Sequence, residues 1–142
     1  MKVEGSPSLA QKLERLFQTV HPAGRPPSSN AEVAAALQRL GGPTVSATYL
    51  WQLRKGLRTN PTKAHLEGLA RFFGVSPSYF FDEVAAVDIE SQLALVAVMR
   101  DAGVRAIAIA SSGLSEESLQ AIQGMVENAR RLERLPETRH RR

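Results

Sequence analysis

Apolar residues return at helical rather than strand spacing along most of this chain. Leu9, Leu13, Leu16, Phe17 and Val20 follow Ser8, a residue able to cap a helix start, and the run ends at the loop from His21 to Pro27. A second segment, with Asn30 as its expected cap, aligns Val33, Leu37 and Leu40 and stops at Gly41-Gly42-Pro43. A third runs from Ser46, a good cap, to Gly56, a good terminator, with Tyr49, Leu50 and Leu53 inward. Asn60-Pro61 offers a cap followed by proline at the first helical position. It opens a fourth helix with Leu66, Leu69, Ala70 and Phe73 inward, stopped at Gly74. Ser76-Pro77 then opens a short turn carrying Tyr79, Phe80 and Phe81. Five helices by residue 82 predict an all-α domain with a core of its own.

A composition shift at Asp82, Glu83, Asp88 and Glu90 places the expected domain boundary after residue 82. Beyond it Ile89, Leu93, Val96 and Ala97 share a helix with Leu95, Val98 and Met99, so that helix is apolar over most of its circumference. Neighbouring helices or a second subunit must cover it. The apolar run Val104 to Ala110 reads as a short helix or a strand. Ser115, with Glu116 and Glu117 behind it, starts a last helix striped by Leu119, Ile122, Val126, Ala129 and Leu132. The expected organisation is a domain over 1–82, a helical region over 83–135 and a basic, disordered tail over 136–142.

Composition narrows the classes. A chain of 142 residues, 43% hydrophobic and 23% charged, has the makeup of an ordinary globular protein and no room for a two-lobed enzyme. It has no cysteine, which excludes disulfides, thiolate zinc sites and cysteine nucleophiles and fits a reducing cytoplasm. No apolar signal region opens it and no stretch of 18 uninterrupted apolar residues occurs, so neither export nor a membrane span is expected. The net charge of +4 is uneven. Residues 1–74 carry ten lysines and arginines against four acids, whereas 75–142 carry eight against ten. No acid lies between Glu32 and Glu67, where Arg39, Arg54, Lys55, Arg58 and Lys63 fall. That local positive field suits a polyanionic partner.

The segment from Asn30 to Gly56 carries the candidate chemistry: a short helix with small Ala34 on its inner side, a turn, then a helix with a polar outer face. A helix-turn-helix has this form, its first helix crossing the phosphate backbone and its second entering the major groove. At 100° per residue, with Leu50 and Leu53 inward, Ala47, Thr48, Trp51, Gln52 and Lys55 project outward together. Gln52 can pair bidentately with adenine, Thr48 can donate, accept or touch a thymine methyl, and Ala47 fits against a methyl. Lys55 suits a phosphate. Trp51 either meets a sugar-phosphate wall or base edge, or packs back on the turn. A solvated polar face remains the plain alternative for Thr48 and Gln52. Further on, Arg58, Thr59, Asn60 and Lys63 surround a helix start whose unpaired N–H groups suit an anion, and simple capping by Asn60 is compatible with that.

Val33-Ala34, Leu37, Val45-Ser46, Leu50, Leu53, Gly56, Leu66, Leu69-Ala70 and Phe73-Gly74-Val75-Ser76 resemble the Xre, phage-repressor-like helix-turn-helix family over about residues 8–82. More narrowly, the run from Ser46 through Gly56 to Pro61 is similar to the recognition helix and following loop of EspR-type regulators of actinobacteria. Met99-Arg100-Asp101 and Gly103-Val104-Arg105 extend that likeness toward the C-terminus. The resemblance implies base contacts from Ala47, Thr48 and Gln52, a phosphate contact from Ser46, and a C-terminal helical region that dimerises. Ile89, Leu93, Val96, Leu119, Ile122 and Val126 are the expected dimer residues. One departure is the seven residues between Leu37 and Val45, more than the common Xre turn holds, although the EspR type is similarly lengthened. A second is Trp51, at a position more often small or polar.

Catalysis has little support. His21, His65 and His140 are scattered with no ligand spacing, so no metal is expected. Gly41-Gly42-Pro43 lacks the lysine and strand of a nucleotide loop, and the adjacent pairs Asp82-Glu83 and Glu116-Glu117 diverge on a helix. The sequence therefore predicts a non-enzymatic, cofactor-free homodimer that binds double-stranded DNA in the bacterial nucleoid. Two rivals stand: a protein-interaction module retaining the repressor fold, and a regulator gated by a small molecule among its C-terminal helices.

Overall fold

In the computed structural model, which describes residues 7–22 and 24–138, every regular element is a helix. In order these are α1 (Leu9–Thr19), α2 (Asn30–Arg39), α3 (Ala47–Arg54), α4 (Lys63–Phe73), α5 (Ser78–Phe81), α6 (Glu83–Val98), α7 (Ala102–Ser111) and α8 (Glu116–Leu132). The all-α expectation holds. Ser8 starts α1 through a capping box, its hydroxyl accepting from the Gln11 N–H while the Gln11 side chain accepts from the Ser8 N–H. Ser46 starts α3 by accepting from the Tyr49 N–H, and Ser115 starts α8 by accepting from that of Ser118.

Two expected caps move. Ser29, not Asn30, caps α2, because its hydroxyl reaches the Glu32 N–H while Glu32 reaches back. Asn30 becomes the first helical residue and its side-chain oxygen accepts from Arg54 instead. Thr62, not Asn60, caps α4 by accepting from the His65 N–H, which leaves Pro61 outside the helix.

The core gathers Leu13, Leu16 and Phe17 of α1, Val33 and Leu37 of α2, Leu50 and Leu53 of α3, and Leu69 and Phe73 of α4, with Tyr79 of α5. Leu40, expected on the inner face of α2, is exposed where that helix ends. The long connection from α2 to α3 is anchored at three points. Gly41 takes a left-handed φ of 72° that lets the Gly42 N–H donate back to the Leu37 carbonyl at 3.0 Å. Pro43 packs on Gly68 of α4 so closely that a Cβ at 68 would stand 2.9 Å from the proline ring. Val45 is buried. The lengthened turn therefore fixes how α3 enters the fold.

The described residues form two compact units, dividing between Arg100 and Asp101 rather than after residue 82. Helix α6 belongs to the first: Ala86 and Leu93 join its core and Ile89 packs against it. The acidic run that reads as a boundary has local duties instead. Asp82 caps α6, and Glu90 accepts from the Tyr79 hydroxyl and pairs with Arg15 at 3.1 Å. Burial and the Glu90 carboxylate push the Tyr79 hydroxyl well above the usual phenol range. Arg100, just past α6, donates to the Thr19 carbonyl and meets His21 Nε2 at 3.1 Å, closing the end of α1.

In the second unit the run 104–110 is helical, started by Asp101. Neither α7 nor α8 contains a buried residue, so this unit has no core of its own. Residues 136–138 of the expected tail are placed: the Pro136 carbonyl accepts from Arg130 Nε at 2.9 Å and Nη2 at 2.7 Å. The remainder, 139–142, lies outside the described residues.

Candidate nucleic-acid interface

Helix α3 is fastened by Leu50 and Leu53, both fully buried, and this fixes which side faces out. On its outer arc Thr48 and Lys55 are exposed, Ala47 and Gln52 are half-buried, and Trp51 keeps 46% of its surface in solvent. The five residues expected to project together do so. Trp51 thus reaches solvent while more than half of it is covered, which fits both an outward and a partly packed side chain. Ser46 is exposed at the start of the helix; its oxygen accepts from Tyr49, which leaves its O–H to donate outward.

At the other end the chain turns back over α3. Gly56, at φ 74°, lets the N–H groups of Leu57 and Arg58 donate to the Gln52 carbonyl at 2.9 and 3.3 Å. Arg58 Nε then donates to Gln52 Oε1 at 3.1 Å, and its guanidinium sits 5.9 Å above the Tyr49 ring. Tyr49 in turn holds its hydroxyl 3.3 Å from His65 Nδ1, with the two rings edge to face at 5.2 Å. Thr59 and Asn60 are exposed in the loop. Lys63 is exposed and lies 3.6 Å from Glu67, a pairing that solvent weakens. Thr62 takes one first-turn N–H of α4, and those of Lys63 and Ala64 point out of the helix end.

Arg54 does something the sequence hides. Counted with the surface cations, it is largely buried beneath α3: its Nε donates to Glu14 at 2.5 Å, its Nη1 to the Asn30 side chain at 2.9 Å, and its guanidinium lies 4.0 Å over the Phe17 ring. One side chain thus ties α3 to α1 and α2. The Glu14 carboxyl is held below the usual carboxylate range, first by this hydrogen bond and then by the charge of Arg54, against the opposing effect of burial. The outward positive field around α3 is therefore that of Lys55, Arg58 and Lys63.

Of the three α6 residues expected at a dimer interface, Leu93 is buried in the core of the first unit and Ile89 packs on its edge, whereas Val96 is 47% exposed. On α8, Leu119 and Val126 are exposed and Ile122 is half-buried. Among the described residues no group of three histidines, aspartates or glutamates could hold a metal, and no helix is long and apolar enough to cross a membrane.

Fold and face together define an all-helical protein that turns one short helix polar side out beside a cationic loop. Over 128 residues the chain is 43% identical to the nucleoid-associated protein EspR of Mycobacterium tuberculosis, in strains CDC 1551 / Oshkosh and ATCC 25618 / H37Rv. The match covers 90% of this chain and 96% of the relative. No family model matches. The chain belongs to the EspR family.

Proposed function

We propose that this protein binds double-stranded DNA with sequence preference, as a transcriptional regulator or nucleoid-associated protein acting as a homodimer in the bacterial nucleoid. In this reading α2 and α3 form an Xre-like helix-turn-helix and α3 lies in the major groove. The observation that carries it is the outer arc of α3, where Thr48, Trp51 and Gln52 stand together with Lys55, while Arg58 and Lys63 follow in the adjoining loop and helix start. Ala47, Thr48, Trp51 and Gln52 read bases; Ser46, Lys55, Arg58, Thr59, Asn60 and Lys63 hold phosphates. Kinship with a nucleoid-associated protein supports the reading. No enzymatic step is part of it.

The homodimer rests on a different observation. A unit without one fully buried residue gains little from folding alone, and Leu119, Met125, Val126 and Leu132 are 42–78% exposed. Cover from a second copy supplies the missing burial, and two linked half-sites supply the specificity that one small domain lacks.

Gln52→Ala is expected to reduce discrimination between a selected target duplex and random duplex by about tenfold while changing affinity for random duplex little. Anisotropy titrations on both duplexes measure this. Equal losses on the two would remove Gln52 from base reading, and a folded dimer that ignores DNA would favour a protein partner for this face.

A further inference from the structure

We infer that Arg58 is a positioning residue for base readout, fixing the Gln52 amide so that Gln52 meets the groove as a hydrogen-bond donor. This rests on the DNA-binding reading above. A glutamine on a helix surface ordinarily turns its amide freely, and the same side chain then offers either an oxygen or an NH2 to a base edge. Here the amide is held in one of its two orientations. Arg58 is a donor only, so the group 3.1 Å from its Nε must be the amide oxygen. The oxygen is thereby turned toward the loop, and the two N–H hydrogens of Gln52 are left to serve a partner.

Arg58 is itself held. Its backbone N–H donates to the Gln52 carbonyl, its guanidinium lies over the Tyr49 ring, and that ring is fixed from behind by His65. Backbone and side chain of Arg58 therefore both act on the residue they orient. A phosphate-binding arginine needs neither contact. A side chain fixed in this way also gives up little conformational entropy on binding, which favours discrimination over mere affinity.

A Gln52 committed to donation prefers acceptor edges in the major groove. Guanine presents two, N7 and O6, to a single NH2 group. Adenine presents N7 alone as acceptor, and its N6 amino group would have to share the amide oxygen with Arg58 through that oxygen's second lone pair. The base class opposite Gln52 is accordingly guanine rather than adenine.

The test is a double-mutant cycle on the full-length protein, with Arg58→Met, Gln52→Ala and the two combined, on a selected target and on its three variants at the base pair whose preference Gln52→Ala abolishes. Circular dichroism melting accompanies each variant. The wild type is expected to favour guanine there by about tenfold. Arg58→Met should lose most of that preference besides lowering affinity for every duplex, and should add nothing to the loss of preference in the Gln52→Ala background. Lowered affinity with the preference intact would overturn the inference and leave Arg58 a phosphate contact, as would an adenine preference in the wild type. If no duplex is bound, or if Gln52→Ala changes no preference at any position, the DNA-binding reading or the role of Gln52 fails before Arg58 is at issue.

Discussion

Arg54→Ala is expected to destabilise the first unit by about 2–3 kcal/mol and to lower its melting temperature by roughly 10 °C. The guanidinium donates to Glu14 and to Asn30 and covers Phe17, and its side chain is only 18% exposed. Glu14 is 43% exposed, so solvent screens part of the ion pair, and much of the loss comes from the Asn30 bond and the ring contact. The same contact predicts a pH dependence. A carboxyl held below its ordinary range contributes stability that is complete above that range and is lost as pH falls through the depressed folded value. The difference between wild type and Arg54→Ala should therefore shrink on acidification. Thermal melts of both proteins from neutral pH into the carboxylate range measure it, and coincident melts at neutral pH would contradict the role given to Arg54.

A chain ended after Asp82 is expected to be far less stable than one ended after Arg100, by about 4 kcal/mol or more. The shorter form loses Leu93 and Ala86 from the core, strips cover from Tyr79 and leaves its hydroxyl without Glu90. A buried leucine contributes about 1.5–3 kcal/mol, and the lost burial of Ala86 and of the Tyr79 ring adds about 1–3 more. The total is a large share of the 5–15 kcal/mol that ordinarily holds a domain together. Urea unfolding of the two truncated chains decides this. Equal midpoints would mean that α6 adds nothing to the first unit.

These two expectations mark where the sequence stops being readable. Helix ends were legible where a single good cap met the start of the apolar period, as at Ser8, Ser46 and Ser115, or where one glycine ended it, as at Gly56 and Gly74. They were not legible at Ser29 against Asn30, or at Asn60 against Thr62, because both members of each pair can cap and only the chain's approach decides which oxygen reaches the N–H. The run 104–110 stayed open between helix and strand since short apolar runs fit either period; Asp101, three residues before Val104, was the signal that favours a helix. Acidic residues around 82–90 resembled a linker because Glu90 meets Tyr79 and Arg15 only in three dimensions, while Asp82 as a local cap of α6 was open to reading. Arg54 was hidden for the same reason: Glu14 lies 40 positions away.

The candidate site divides in the same way. Its outer arc follows from helical period alone once Leu50 and Leu53 point inward, so the projection of Thr48, Trp51 and Gln52 was available without coordinates. What no periodicity contains is the return of Arg58 onto Gln52, which depends on Gly56 reversing the chain and on Tyr49 and His65 standing behind the arginine.

In the proposed function the α3 face binds the DNA backbone and reads its bases. Its most direct test is duplex-DNA anisotropy across a salt series with the wild type and a Lys55→Ala/Lys63→Ala variant. Affinity should fall steeply with salt, and the variant should bind more weakly on all sequences with a slope shallower by about two. A folded protein that binds no duplex at low salt, or a variant indistinguishable from wild type in affinity and slope, would contradict this reading.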